Sequence, residues 1–371
     1  MMIKQHEQTR SKTQIVAVVY HLILSIHTKT ILLLIRPIIM TINIFPDIVI
    51  EQDLTPNAFG RDIDERCEEI VAATKGFGAN ADKVIANLAN TTAVQRYGLC
   101  KRFSELNEGK SLEKLIDSEF RGSLGSALRF LALSPEEAEC CMIKKATSGV
   151  GASANVLWSI MCGRTNVEME LLKKTFFRLY SRDLGKLMAS ELHGDMERLM
   201  FTCLQAGEEV FDPQFHTMEK AVEDAETIHS KGQGRWGTEE RGIFKALCAS
   251  PPKHIEQINK VYADKYGYTL IKAMDKELGG NAGSACVYLL GMKLRPFQTI
   301  AELIKSACAG FGTDDLLLTA TIIRYQHIMP SVMPAHIELY GKTIHDRVRS
   351  ECSGNYKKAL LAVLTAAWPE E

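Results

Sequence analysis

The sequence predicts an all-α protein made of four repeats, and three observations carry that expectation. A short glycine turn recurs along the 371 residues, as Gly76-Phe77-Gly78, Gly149-Val150-Gly151, Arg235-Trp236-Gly237-Thr238 and Gly310-Phe311-Gly312-Thr313. Each turn is followed 39 to 41 residues later by a glutamate just ahead of a glycine or cysteine turn: Glu119, Glu191, Glu277 and Glu351. Between these markers apolar residues recur at helical spacing, as in Met169, Leu172, Phe176 and Leu179 or Tyr356, Ala359, Leu360, Val363 and Leu364, with no sustained period-two alternation between residues 55 and 371.

The last glycines of successive turns stand 73, 86 and 75 residues apart, so the unit is near 75 residues with extra chain between the second and third. This divides the chain into a tail, 1–56, and repeats over 57–133, 134–210, 211–294 and 295–371. In the first repeat Asp62 or Asp64 opens the helix that feeds the glycine turn. Proline takes that role later, since it suits the first turn of a helix as glycine suits the position just past its end. Pro135 and Pro296 each precede a turn by 14 residues, and Pro213 precedes Gly232 by 19. Beyond the turns, Thr238 and Thr313 are placed to cap the next helix, while Asn80 and Ser153 do so after Ala79 and Ala152. Each repeat then holds about five short helices, the turn joining the first two and the glutamate ending the fourth.

The residue types at the turns suit calcium. This hard cation takes 6 to 8 oxygens from carbonyls, carboxylates and water. Glycines allow positive φ and turn successive carbonyls outward, and one bidentate glutamate adds two oxygens and the only formal charge. Positions remain for water or an outside oxygen such as a phosphate, so the pattern describes a metal bridge rather than a closed cage.

The fragments Lys75-Gly-Phe-Gly, Gly163-Arg-Thr-Asn-Val-Glu through Ser181-Arg-Asp-Leu, Arg235-Trp-Gly-Thr-Glu-Glu, Gly310-Phe-Gly-Thr-Asp-Asp and Ser353-Gly-Asn-Tyr-Lys-Lys-Ala-Leu-Leu together resemble an annexin, over about residues 57 to 368. The resemblance implies a slightly curved disc of four repeats with the calcium turns on the convex face, docking reversibly on acidic phospholipid of the phosphatidylserine type. It implies carbonyl ligands from Thr74, Gly76 and Gly78 with Glu119, and from Thr147, Gly149 and Gly151 with Glu191. The third set is Gly232, Arg235 and Gly237 with Glu277, and the fourth Cys308, Gly310 and Gly312 with Glu351. The first two turns read Gly-Ala where the family usually has Gly-Thr.

The residues between the glycines, Phe77, Val150, Trp236 and Phe311, are all apolar. They either fold back onto their own repeats or meet the membrane interface, where an apolar body with a polar rim is favoured. The resemblance implies that Trp236 meets the bilayer.

Charge gives calcium a switching role. The chain has a net charge of −1, but residues 1 to 46 carry +4, leaving −5 on residues 47–371. Such a body is not drawn to a negative leaflet, and four bound calcium ions reverse its sign. No nucleic-acid partner is expected; self-association on membranes is a further option.

The apolar stretches before residue 50 are interrupted at Lys29 and Arg36-Pro37 and fall short of the ~18 residues a spanning helix needs. A signal peptide over Ile15 to Ile26, a transit peptide, or an unused extension before a start at Met40 are the alternatives, the last preferred. Ten scattered cysteines without a C-x-x-C suggest reduced thiols and residence in the cytosol, peripheral on membranes when calcium rises.

Catalysis is not expected. Gly109-Lys-Ser and Gly341-Lys-Thr lack the glycine five residues earlier that a phosphate-binding loop needs, carrying Ser104 and His336 instead. The rival readings are a weak calcium-permeable channel and a peroxidase-like or nucleotide-hydrolysing enzyme. Ser159 and Ala320 fall where annexin-like chains often carry a pore Glu and Arg, which weakens the channel reading.

Overall fold

The computed structural model describes residues 41–51, 60–76, 78–149, 151–232, 240–310 and 312–369, and among them every regular element is a helix. A short helix α1 (Asp47–Glu51) is followed by four groups of five. The first holds α2 (Gly60–Ala73), α3 (Ala81–Val84, continued by a π-helical turn, Ile85–Ala89), α4 (Ala93–Leu106), α5 (Leu112–Glu119) and α6 (Gly122–Leu131). The second holds α7 (Pro135–Ala146), α8 (Ala154–Met161), α9 (Asn166–Tyr180), α10 (Leu184–Glu191) and α11 (Gly194–Leu204). The third holds α12 (Met218–Gly232), α13 (Glu240–Ala249), α14 (Pro252–Tyr266), α15 (Leu270–Glu277) and α16 (Gly280–Leu294). The fourth holds α17 (Pro296–Ala307), α18 (Asp315–Arg324), α19 (Met329–Tyr340), α20 (Ile344–Glu351) and α21 (Gly354–Ala367).

Local chemistry sets these boundaries the same way each time. Pro135 and Pro296 occupy the first helical position of α7 and α17. Pro213 does not open α12, which begins at Met218 after an intervening turn, because the extra chain between repeats two and three lies ahead of that helix. The fourth helix of every group is eight residues long and is capped by a side-chain oxygen of Ser111, Asp183, Thr269 or Thr343. Two residues before each cap the backbone turns left-handed, at Gly109, Ser181, Gly267 and Gly341. Gly109-Lys-Ser and Gly341-Lys-Thr are therefore the turns into α5 and α20.

One continuous apolar core runs through all four groups. Met169, Leu172 and Phe176 are buried in it, but Leu179 is 37% exposed, because Tyr180 takes the next place on that face, packing against the core and Phe176. The first group packs on the fourth through α6 against α18 and α21, and the second on the third through α11 against α13 and α16. Where the second meets the fourth, Glu139 on α7 receives Arg164 Nη2 at 2.5 Å and Arg324 Nε at 2.7 Å, with all three side chains 1% exposed. Ser159 and Ala320 are both buried, and the charge at the centre comes instead from this triad. Arg96 and Gln326 join the first group to the fourth with a 2.6 Å bond.

The segment before the repeats is anchored where it is described. The backbone N–H groups of Ile44 and Phe45 donate to Glu168 Oε1 at 2.5 and 2.6 Å, Thr41 Oγ1 donates to Glu208 at 2.8 Å, and Ile44, Phe45 and Val49 are buried. None of the ten cysteines is in a disulfide, and burial pushes the Cys67 thiol up to about 12. No described helix is long and apolar enough to cross a membrane.

Removing one partner of a buried ion pair strands the others, at a cost of about 3–5 kcal/mol. Glu139→Ala is expected to lose that much, leaving two buried guanidiniums uncompensated, and a urea melt will show it. Burial also pushes His327 down from 6.5 to about 4. The neutral ring is thus favoured in the folded state, and the unfolded chain binds more protons between those values. That contribution is complete above pH 6.5 and is lost as pH falls toward 4, by at most about 3 kcal/mol. His327→Gln should flatten this part of a stability-against-pH curve.

Candidate metal sites

Three of the four glycine turns lie within the described residues, apart from their central apolar residue, and they share one construction. In each a helix ends, two glycines take positive φ, and the chain closes back on the helix. Gly76 and Gly78 have φ of 96° and 80°, Gly149 and Gly151 105° and 83°, and Gly310 and Gly312 95° and 89°. The closing bond is the same: Asn80 N donates to Ala73 O, Ser153 N to Ala146 O, and Asp314 N to Ala307 O, each at 2.8 Å. A side chain at these glycines would meet nothing within 4 Å, so the backbone angle and not space requires glycine.

The closing residue is also the residue that begins the next helix. Asn80 accepts from Lys83 N at 3.1 Å and Asp314 from Leu317 N at 3.0 Å, while Ser153 makes no side-chain cap. Thr313 is therefore not the cap expected from the sequence, because the cap falls one residue later. Its hydroxyl instead donates to the Glu351 carbonyl at 3.4 Å, joining the fourth turn to the end of α20. The alanines in the first two turns leave the cap position unchanged.

The expected carbonyl ligands Thr74, Gly76, Gly78, Thr147, Gly149, Gly151, Cys308, Gly310 and Gly312 accept no backbone hydrogen bond among the described residues. The Thr74 hydroxyl is turned inward to the Ile70 carbonyl and that of Thr147 to Ile143, so only their main-chain oxygens are offered. Unsatisfied outward carbonyls are what a hard cation replaces water on.

Glu119, Glu191, Glu277 and Glu351 each end the fourth helix of their group. Glu119 and Glu351 are exposed and Glu191 and Glu277 half-buried. Ser118 and Ser190 hydroxyls reach the carboxylates of Glu119 and Glu191 at 3.4 Å. In the fourth site the turn reaches the main chain of Glu351 through the Thr313 hydroxyl. Beyond the Thr313 contact, burial and then the charge of Glu351 push the Cys308 thiol up to about 11. For the first and second sites no hydrogen bond joins turn to glutamate among the described residues. Arg235, Trp236, Gly237 and Thr238 lie outside the described residues, as do Phe77, Val150 and Phe311; Gly232 is the last residue of α12.

The turn that the sequence places just after each glutamate is built on glycine in every repeat. Gly122, Gly194, Gly280 and Gly354 each stand three residues after the glutamate, at φ of 59° to 66°, and open the fifth helix. The glutamate is thereby held at a chain reversal in every repeat. Among the described residues no cluster of three or more His, Cys, Asp or Glu side chains could hold a metal, so any ion here depends on main-chain oxygens with one acid.

Gly312→Ala forces a side chain into the left-handed region and should cost about 1–2 kcal/mol. Gly207→Ala, with equally open surroundings and no positive φ, should be close to neutral, and paired urea melts compare them.

The annexin family model matches this chain three times, over residues 137–202, 223–289 and 299–363. Annexin A7 of Dictyostelium discoideum is 29% identical over 299 residues, covering 80% of this chain, which spans 64% of that protein's length. Human annexin A13 is 27% identical over 306 residues, covering 82% of this chain and 96% of its own. The calcium-bound structure of annexin (Sm)1 superposes with a TM-score of 0.68 at 23% identity, covering 82% of this chain and 90% of that one, a likeness of fold. With the family model matched over more than half its length, the chain belongs to the annexin family.

Proposed function

We propose that this protein docks reversibly on acidic phospholipid membranes, with calcium bridging the turn carbonyls and one glutamate of each repeat to lipid phosphate. The observation that carries the reading is the three-fold recurrence of one turn, with paired left-handed glycines, the same 2.8 Å closure and carbonyls that accept no backbone hydrogen bond among the described residues. A turn that only ended a helix would have no reason to keep that geometry at three places. The ligand sets assigned above are proposed for all four repeats, bounded at 57–133, 134–210, 211–294 and 295–371, including the third set of Gly232, Arg235 and Gly237 with Glu277. The solved relative annexin (Sm)1 with calcium bound supports the choice of ion.

Electrostatics supply the switch. Four calcium ions would turn the −5 of residues 47–371 positive and offer phosphates a vacant coordination position. Binding is therefore salt-sensitive and reversed by a chelator. Phe77, Val150, Trp236 and Phe311 would enter the interface beside the bridged phosphates. The protein acts without catalysis, in the cytosol and at the inner face of membranes, with phosphatidylserine-type lipid as the partner and self-association on the surface as a further step.

Co-sedimentation with phosphatidylserine vesicles over a calcium titration tests this, with a quadruple variant, Glu119→Gln, Glu191→Gln, Glu277→Gln and Glu351→Gln, run beside the natural chain. Calcium-dependent pelleting, released by chelator and moved to at least tenfold higher calcium in the variant, is expected from the loss of four charged ligands. Calcium-independent pelleting of both would place membrane binding elsewhere in the chain.

A further inference from the structure

A cleft of about 540 Å³ opens between α11 and α13, outside the glycine turns. Its α13 wall carries Arg241 and Lys245, both exposed and one helical turn apart. Like charges at this spacing repel one another, and a bound anion relieves that repulsion. Arg198 lines the α11 wall, with one guanidinium nitrogen held by Asp195 at 2.7 Å. Among these cations the cleft also places Glu197, Thr202 and Gln205. The Thr202 hydroxyl already donates to the Arg198 carbonyl at 2.8 Å, so its remaining capacity is to accept. Phe201 adds an apolar surface, 38% exposed.

Each class of group has a counterpart in one kind of molecule. Paired cations suit a phosphate monoester, which guanidinium binds bidentately and ammonium as a point charge. A carboxylate, an amide and a hydroxyl oxygen suit the hydroxyls of a polyol, and an aromatic side chain suits the C–H face of its ring. The volume is that of small-molecule sites generally, about 300–1,000 Å³. A simple solvated charge patch would need neither the concave space nor the mixed donors and acceptors.

We propose that this cleft binds a phosphorylated polyol, Arg241, Lys245 and Arg198 holding the phosphate, and Glu197, Gln205 and Thr202 the ring hydroxyls. Gly194, on its rim, follows Glu191 by three residues, so the cleft adjoins the second candidate metal site. The ligand chemistry is shared by soluble inositol phosphates and by phosphoinositide headgroups. None of the groups involved is a proposed calcium ligand, so the binding does not require calcium and stands independently of the calcium-bridge reading.

The test is calorimetric titration with inositol trisphosphate in the presence of a calcium chelator, using the natural chain and the double variant Arg241→Glu, Lys245→Glu. Sedimentation with phosphatidylcholine vesicles containing phosphatidylinositol bisphosphate forms the second arm. The natural chain should bind the trisphosphate, and the double variant should bind at least about tenfold more weakly, since two basic contacts become repulsive. Its circular dichroism and its calcium-dependent sedimentation on phosphatidylserine should be unchanged. Binding in the first arm alone identifies soluble phosphates as the ligand, and binding in both admits the lipid headgroup. No binding in either arm, or binding undiminished in the double variant, overturns the proposal. Loss of calcium-dependent sedimentation with trisphosphate binding retained would remove the calcium reading and leave this one.

Discussion

The carboxylate of Glu139, shared between Arg164 and Arg324, is the interaction on which the arrangement of the four helix groups depends. Repeats can stack in many ways through apolar faces alone, because burial of hydrocarbon is not directional. A carboxylate buried with two guanidiniums is different, since any slippage between the second and fourth groups would leave a charge in a low-dielectric interior without a partner. The bond between Arg96 and Gln326 does the same for the first and fourth groups at lower cost. These few polar contacts fix the register in which an extensive apolar core is allowed to close.

Within that frame the glycine turns are displayed by their helices. Each of the three described turns is held at both ends, by the C-terminus of the first helix and by the bond that returns to it from the start of the second. The carbonyls expected as ligands between those ends accept no backbone hydrogen bond among the described residues. The glutamate arrives from a separate helix, its place set by a cap at one end and a chain reversal at the other. The oxygen site proposed for each repeat would thus draw on parts about forty residues apart.

Much of this was legible in the sequence, for reasons specific to repeats. The glycines at 76, 78, 149, 151, 310 and 312 are forced by backbone angle, so they survive as a readable pattern. Pro135 and Pro296 mark helix starts because a missing N–H costs nothing in the first turn of a helix. Where the reading failed, a nearby competitor had taken the role. Asp314 displaced Thr313 as the cap, and the extra chain before α12 moved its start past Pro213. Leu179 kept the helical spacing of a core residue, but Tyr180 beside it took the core position.

By itself the sequence determined the helical class, the four-fold repetition, the turn glycines and the glutamates, because each is a local requirement of backbone conformation or of ligand chemistry repeated at a fixed period. Only the tertiary structure decided that Glu139 lies between Arg164 and Arg324, 25 and 185 residues away. It alone decided that Glu168 caps its own helix and also holds Ile44 and Phe45, and that Arg198 faces Arg241 and Lys245 across one cleft. Charge partners distant along the chain leave no periodic trace, since any of 44 basic and 45 acidic residues could have paired until packing chose among them.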